Sequence, residues 1–324
     1  MSKAGVELFS QRLLDIYRAS AECPLHEFQD AALNAVKPAV AFDASMWGTA
    51  QWLPSGIDIH SIHLHQKSPQ MLIDYQEVKH LDSAAASMAG KPHHTRAFHA
   101  PTVNGAPHEA ALLDMLLKHR QVNTFITAHT DEATGLVQWI TLFRGDPEQQ
   151  GHADETSLVA QFAPHLMLAL DQSRARHLDR LRIVDGTTRE ALIADAHGVV
   201  YHATPGYEAL LRAEWRDWRR GALPAALHTA VAGGTMQFTG HALVADARIE
   251  RDLLFVRLRA RCAADALSPR EREVAQLMAR GWSHNEVARE VRRAPATVRN
   301  QLQSAYRKLD VQSIGAMGEA LRKL

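Results

Sequence analysis

The chain has little cysteine. Its two cysteines, Cys23 and Cys262, lie at opposite ends of 324 residues. That excludes a disulfide scaffold and a Cys-based zinc finger, and it fits a reducing cytoplasm. No apolar run reaches about 18 residues, so no membrane-spanning helix is expected. The first twenty residues place Val6, Phe9, Leu13 and Tyr17 at helical spacing between charges, a pattern unlike the apolar stretch of a secretory signal. Net charge is also missing, because 36 Lys+Arg balance 36 Asp+Glu. A uniformly basic nucleic-acid binder is therefore excluded, whereas a locally basic module is not. No G-x-S-x-G, H-E-x-x-H or C-x-x-C occurs, so no catalytic residue is assigned and no enzyme is expected. What the chain has is 46% hydrophobic and 22% charged residues, enough to bury cores and too few charges for disorder. At roughly 100–200 residues per domain, two or three domains are expected.

Residues 4–20 and 25–36 read as amphipathic helices. Gly56–Gln66 alternates as a strand with a phase slip at Ser61 that predicts a bulge. Ser68-Pro69 opens a helix, and Pro107–Arg120 carries another. The runs 121–130 and 136–144, joined by Asp131–Gly135, read as a hairpin. Residues 153–182 form one long helical pattern with Leu158, Phe162, Leu166, Ala169 and Leu170 on its apolar face, and Pro164 predicts a kink or short break. Its second half is polar, as suits a connector. Strand, turn and strand follow over 190–204, then a short helix, then strands over 235–246 and 253–262. In layout this smaller unit resembles a PAS module, and the helix-flanked strands before it resemble a GAF domain.

Charge gathers at the carboxyl end. Residues 266–324 hold eleven basic and six acidic side chains, so an excess of five positive charges sits here and the remainder is equally negative. Such asymmetry suggests a polyanion-binding end. The periodicity gives four helices. Ser268 and Glu271, then Ser283 and Glu286, form capping boxes, with Pro269 at the first helical position and Gly281 as a stop. The third helix starts at Pro295; Val298, Leu302, Ala305 and Leu309 face inward, leaving Arg299, Asn300, Gln303 and Arg307 outward. The fourth is expected to bury Ile314, Met317 and Leu321. Two short helices, a tight turn and a longer basic helix make a helix-turn-helix. Arg pairs with guanine and Asn or Gln with adenine in the major groove. A helix of 15 residues spans roughly 22 Å, enough to lie along that groove.

The run LSPREREVAQLMARGWSHNEVAREV, then TVRN and YRKL, resembles the LuxR-type helix-turn-helix of bacterial transcription regulators. The resemblance implies base contacts by Arg299, Asn300 and Gln303, and phosphate contacts by Thr297, Arg307, Lys308 and the helix starts at Ser268 and Ser283. It also implies a homodimer with Met317 and Leu321 near the contact. The chain departs from the pattern at the turn. Where the family commonly has leucine-glycine-isoleucine-serine, Val291-Arg292-Arg293-Ala294 stands here. An Arg replaces an inward apolar residue, and Ala294 is a poor N-cap, costing about 1 kcal/mol relative to Ser.

The expected fold class is multidomain: α/β sensor-like modules, GAF-like over 1–180 and PAS-like over 181–264, followed by an all-α four-helix LuxR-type helix-turn-helix domain over 265–324. No P-loop and no regular βα alternation occur, which disfavours an ATP-binding or phosphoacceptor front half. Trp47, Trp52, Asp74 and Tyr75 do not stand at the spacing of an acyl-homoserine lactone pocket. Trp47, Trp52, His63, His65 and Trp139 are candidate linings of an effector pocket, against the alternative that they are plain core. No cofactor is predicted and no metal site is assigned, although His60, His63 and His65 on one strand and His93, His94 and His99 raise the alternative of a metal- or haem-binding sensor or enzyme with an accessory basic tail. A ligand-free dimerisation scaffold is a further reading. The expected partners are double-stranded DNA, a second copy of the chain, a small-molecule effector of unknown identity and RNA polymerase, in the cytoplasm and without membrane contact.

Overall fold

The structure is a computed structural model, and it describes residues 3–53, 56–88, 91, 93–131, 135–184, 187–251 and 253–322. Residues 132–134 of the expected 131–135 turn and 323–324 of the last helix lie outside the described residues. No described helix is long and apolar enough to cross a membrane.

The first unit opens with α1 (Lys3–Glu22) and α2 (Leu25–Val36), followed by β1 (Ala44–Leu53) and β2 (Gly56–His65). Next come α3 (Gln70–Val78) and α4 (Ser83–Ala86), β3 (His93–His99), and α5 (Ala100–Val103) and α6 (Ala110–Lys118). The hairpin β4 (Asn123–Thr130) and β5 (Leu136–Arg144) leads into α7 (Ala153–Arg182). The strands form one antiparallel sheet in the order β2-β1-β5-β4-β3. The slip read at Ser61 is a bulge: Thr49 pairs with Ser61 and Ala50 with Ile59, so His60 is the extra residue. One face of the sheet presents Trp47, Phe125, Ile140 and Leu142 to Ile16, Phe28 and Leu33 of α1 and α2 and to Phe162 and Leu166 of α7. The other face carries Ile126, Ala128, Val137 and Trp139, with Met88 against them. On this face Trp139 lies so close over Gly48 that a Cβ there would stand 2.7 Å from Trp139 Cζ2, so no larger residue fits.

α7 runs unbroken through Pro164, which corrects the expected break. The residues flanking the proline, Val159, Phe162, Ala163, Leu166 and Met167, are all buried on the first sheet. That burial offsets the missing backbone hydrogen bond. The polar second half is more than a connector. Leu178 is fully buried against Ala191, Ile193 and Phe255 of a second sheet.

That second unit holds the short pair β6 (Ile183–Val184) and β7 (Thr187–Thr188), the hairpin β8 (Glu190–Asp195) and β9 (Val200–Ala203), then α8 (Tyr207–Glu214) and α9 (Ala225–Ala232). It closes with β10 (Gln237–Thr239), β11 (Leu243–Glu250) and β12 (Leu253–Ala260). The five longer strands pair antiparallel in the order β10-β11-β12-β8-β9, so both large sheets use one connectivity. Leu192, Ala245 and Val256 face Tyr207, Leu211, Leu227 and Val231 of α8 and α9, while α7 covers the reverse side.

The two units meet through a polar chain. Tyr201 donates to Asp195 Oδ2 at 2.8 Å. Having given its one proton there, it accepts from the Thr49 hydroxyl at 2.5 Å, which in turn accepts from Ser61 at 2.7 Å. Arg174 of α7 lies over the Tyr201 ring at 4.5 Å.

Four helices end the chain: α10 (Pro269–Ala279), α11 (His284–Glu290), α12 (Pro295–Leu309) and α13 (Ile314–Leu321). They share a core of Val274, Met278, Val287, Val298, Leu302, Ala305, Leu309 and Met317. Arg259 at the end of β12 forms a two-pronged ion pair with Asp265 at 2.6 and 2.7 Å. Ala264 and Leu267, beside that aspartate, are buried in the helical core. The ion pair thus fixes how the helical unit leaves the second sheet. The fold class is the one expected: two antiparallel α/β units followed by an all-α helix-turn-helix.

Because one helix closes both sheets, Leu178→Ala is expected to cost about 2–5 kcal/mol of stability, read by urea denaturation. An unchanged midpoint would show that α7 does not seal the second sheet.

Candidate nucleic-acid interface and interdomain cleft

Both expected capping boxes form. Glu271 N donates to Ser268 Oγ at 3.3 Å and Ser268 N to Glu271 Oε2 at 2.7 Å; Ser283 and Glu286 repeat the exchange at 3.4 and 2.8 Å. Ala294 caps α12 with no side-chain bond, as its methyl dictates. Gly281 takes φ +91° after α10. Arg292, where the family commonly has glycine, adopts φ +52°, the left-handed region that a side chain enters at a cost of roughly 1–2 kcal/mol. Arg293, which stands where the family commonly has an inward apolar residue, is exposed.

On α12 the buried positions are Val298, Leu302, Ala305 and Leu309. Arg299, Asn300, Gln303 and Arg307 are all exposed on the opposite side, and Thr297 is exposed at the helix start. Beside Thr297 a shallow hollow is lined by Asn285, Arg289, Arg292 and Arg293. Asn285 and Arg289 were not singled out from the sequence. Their outward direction was available from Val287 and Ala288, the inward residues of the same helix.

Three expected positions change meaning. Lys308, expected at a phosphate, is bound to Glu271 Oε2 at 2.6 Å, and Ser304 donates to the other oxygen at 2.6 Å. The Lys308 ammonium and then the Ser304 hydroxyl hold the Glu271 carboxyl down at about 2, against an ordinary 4.5. Met317, expected near a dimer contact, is fully buried in its own domain core and cannot reach a partner. Ile314, expected inside, is 43% exposed, while Leu321 is half-buried against the core. The hydroxyls of Ser268 and Ser283 are occupied as caps, and a glutamate already sits at each helix start.

The expected effector lining does not converge. Trp47 pairs with His63 and Ile140, Ser45 with His65, and Gly48 with Trp139. Side chains alternate across a strand. Trp47, His63 and His65 therefore share one face, and Trp139 and Trp52 lie on the other. Trp47 and His63 reach a small hollow of about 210 Å3 with Thr49, Arg174, His177 and Phe255. His65 is bound at Nδ1 to Asp30 at 2.6 Å, and His63 reaches the same oxygen at 3.0 Å.

A larger cleft of about 700 Å3 opens between the two units, among β3, β4, α7 and β9. His129, Asp171, Arg174, Tyr201, His202 and Arg220 supply its polar groups; Met167 and Leu168 supply apolar ones. Burial lowers the pKa of His129 and of His202. Burial and then the Asp195 charge push Tyr201 up to about 12. At neutral pH the imidazoles of His129 and His202 and the phenol of Tyr201 are therefore uncharged, and the side chains of Asp171 and Arg174 stand beside them. No motif signals it, because its walls come from both sheets and the long helix.

Residues 265–317 match the family model described as GerE: bacterial regulatory proteins, luxR family. The carboxyl-terminal unit is thus a domain of the luxR family of bacterial regulatory proteins. No curated protein matches the sequence. Solved structures similar to the chain include an N-acylhomoserine lactone-dependent LuxR family transcription factor, CepR2 from Burkholderia cenocepacia, at 19% identity, covering 54% of this chain and 99% of that one with TM-score 0.39. SdiA of Escherichia coli is similar at 9% identity over 97% of both chains with TM-score 0.40. The phycoerythrobilin-bound GAF domain from a cyanobacterial phytochrome is similar at 13% identity, covering 55% of this chain and 100% of that one with TM-score 0.35. Likenesses this distant assign no ligand to the cleft.

Arg292→Gly is expected to raise the stability of the helical unit by about 1 kcal/mol, because glycine enters φ +52° freely; a lowered melting temperature would contradict the strain. Glu271→Gln is expected to destabilise near neutral pH. The folded carboxyl is depressed, so its contribution is complete above 4.5 and disappears as pH falls toward about 2. The stability gap between wild type and variant should close over that interval in pH-resolved thermal melts.

Proposed function

We propose that the protein is a cytoplasmic, effector-controlled regulator that binds double-stranded DNA as a homodimer, with α12 in the major groove. Arg299, Asn300 and Gln303 read base edges, and Arg307, Thr297 and the arginines of the hollow neutralise phosphates. The observation that carries this reading is the division of α12 into a fully buried apolar row and a fully exposed polar and cationic row, within the segment that matches the luxR family. Lys308 belongs to the internal support of the domain, because its ammonium is engaged by Glu271. A dimer contact through the last helix uses exposed Ile314 and the edge of Leu321 rather than Met317. The protein acts by binding, not by catalysis.

The cleft between the sheets is the effector site in this reading. Its size is that of small-molecule pockets, roughly 300–1,000 Å3. Its two walls belong to different units, so a ligand that prefers one arrangement of them shifts the population of that arrangement. The Arg259–Asp265 pair carries the second sheet's position to the helical unit.

Arg299→Ala is expected to cost about 1–3 kcal/mol of binding to the cognate site and to relax sequence preference, whereas Arg307→Ala weakens all duplexes alike and lowers the salt slope by about one. Fluorescence anisotropy at several salt concentrations, on selected and scrambled duplexes, reads both. Equal losses on every sequence from both variants would remove Arg299 from the groove.

A further inference from the structure

Asp195 is fully buried, and its carboxylate has four donors. The backbone N–H groups of His197 and Val199 reach Oδ1 at 2.9 and 2.8 Å. Tyr201 and the Nδ1 of His60 reach Oδ2 at 2.8 and 3.1 Å. A carboxylate only accepts, so His60 donates from Nδ1 and turns Nε2 the other way. That Nε2 belongs to a side chain only 3% exposed and has no hydrogen-bond partner. The nearest carboxylate oxygen on that side is Asp58 Oδ2, 3.7 Å away. Across the unit boundary His197 Nδ1 lies 3.9 Å from the same Asp58 oxygen, and its ring stacks on His60 with centroids 4.7 Å apart. These separations are too long for hydrogen bonds. They approach the spacing of about 3.3–3.4 Å between ligand atoms that share a tetrahedral ion at 2.0–2.1 Å.

We propose that Asp58, His60 and His197 form a binding site for a divalent transition metal ion of the zinc type, clamped between the two sheets. Two imidazoles and one carboxylate are a borderline nitrogen–oxygen set that suits such an ion and leaves one position open. Asp195 positions the His60 imidazole through Nδ1, as outer-shell carboxylates do for metal-bound histidines, and holds the backbone of His197 through its N–H. The bulge in β2 makes the site, since it is the extra residue His60 that is turned toward the second unit. An ion there ties β2 to the β8–β9 turn and stabilises their contact. The Asp30, His63 and His65 cluster is different: His63 Nε2 and His65 Nδ1 already contact the Asp30 oxygen directly at 3.0 and 2.6 Å, so the nitrogens that face the carboxylate are hydrogen-bonded to it, and only His65 Nε2, among these ring atoms, is buried without a partner.

The test uses the full chain, stripped with a chelator and titrated with Zn2+ against a chromophoric competitor. The expected result is one tightly bound Zn2+ per chain and a raised melting temperature. His197→Ala and Asp58→Asn should each lower the affinity at least tenfold and abolish the zinc-dependent rise. The His197 and Asp58 side chains are 45% and 43% exposed, so both variants are expected to fold without metal, as circular dichroism can check. Asp30→Asn should leave zinc binding unchanged. Stoichiometric zinc lost in Asp30→Asn but kept in His197→Ala would overturn the assignment, and so would a chain that binds no zinc at all.

Discussion

The arrangement of the two sheets rests on one buried carboxylate. Asp195 is fully buried and its carboxyl oxygens take four hydrogen bonds, and a charge left unpaired in such a place would cost several kcal/mol. Its donors come from both sides of the boundary: its own hairpin supplies two backbone groups and Tyr201, and the first sheet supplies His60. Separating the units would strip a donor from it and open the contact of Thr49 with Tyr201. The charge therefore resists parting of the sheets at this edge, while a few ångströms away the same surfaces draw back to form the cleft.

Function depends on how that junction communicates with the far end of the chain. α7 touches both cores, first through Phe162 and Leu166 and then through Leu178, and it brings Arg174 to the cleft. From the second sheet, β12 carries Arg259 next to its last residue, and the pairing of that arginine with Asp265 sets the first turn of the helical unit. In the proposed reading, the path from cleft to DNA surface consists of packed helix, sheet and a two-pronged ion pair. A change in the separation of the two units would then alter the placement of α10–α13 rather than their internal structure, since those four helices have a core of their own.

The helical unit was nearly legible in advance because its information is local. Capping serines, their glutamates three residues on and a repeating apolar row all act within one or two helical turns. The exceptions came where a side chain is engaged by another helix. Lys308 reads as a surface cation until Glu271 is brought beside it, and Ile314, expected inside with Met317, is left at the surface while Met317 fills the core. In the first sheet the strand with the slip was readable. The central β1 was not, since Ala44–Leu53 mixes small, polar and aromatic residues on faces that are both covered. β3 was seen only as a group of histidines, and α9 was missed altogether.

By itself the sequence determined where the helices of the carboxyl-terminal unit start and stop, which row of α12 turns outward, and that a bulge interrupts β2. Those features follow from backbone caps and side-chain period, which need no distant partner. Tertiary structure decided which aromatic residues share a face, where a cleft opens, and that His60 meets His197 and Asp58. Such meetings depend on sheet register and on two units being pressed together, and no spacing along the chain encodes either.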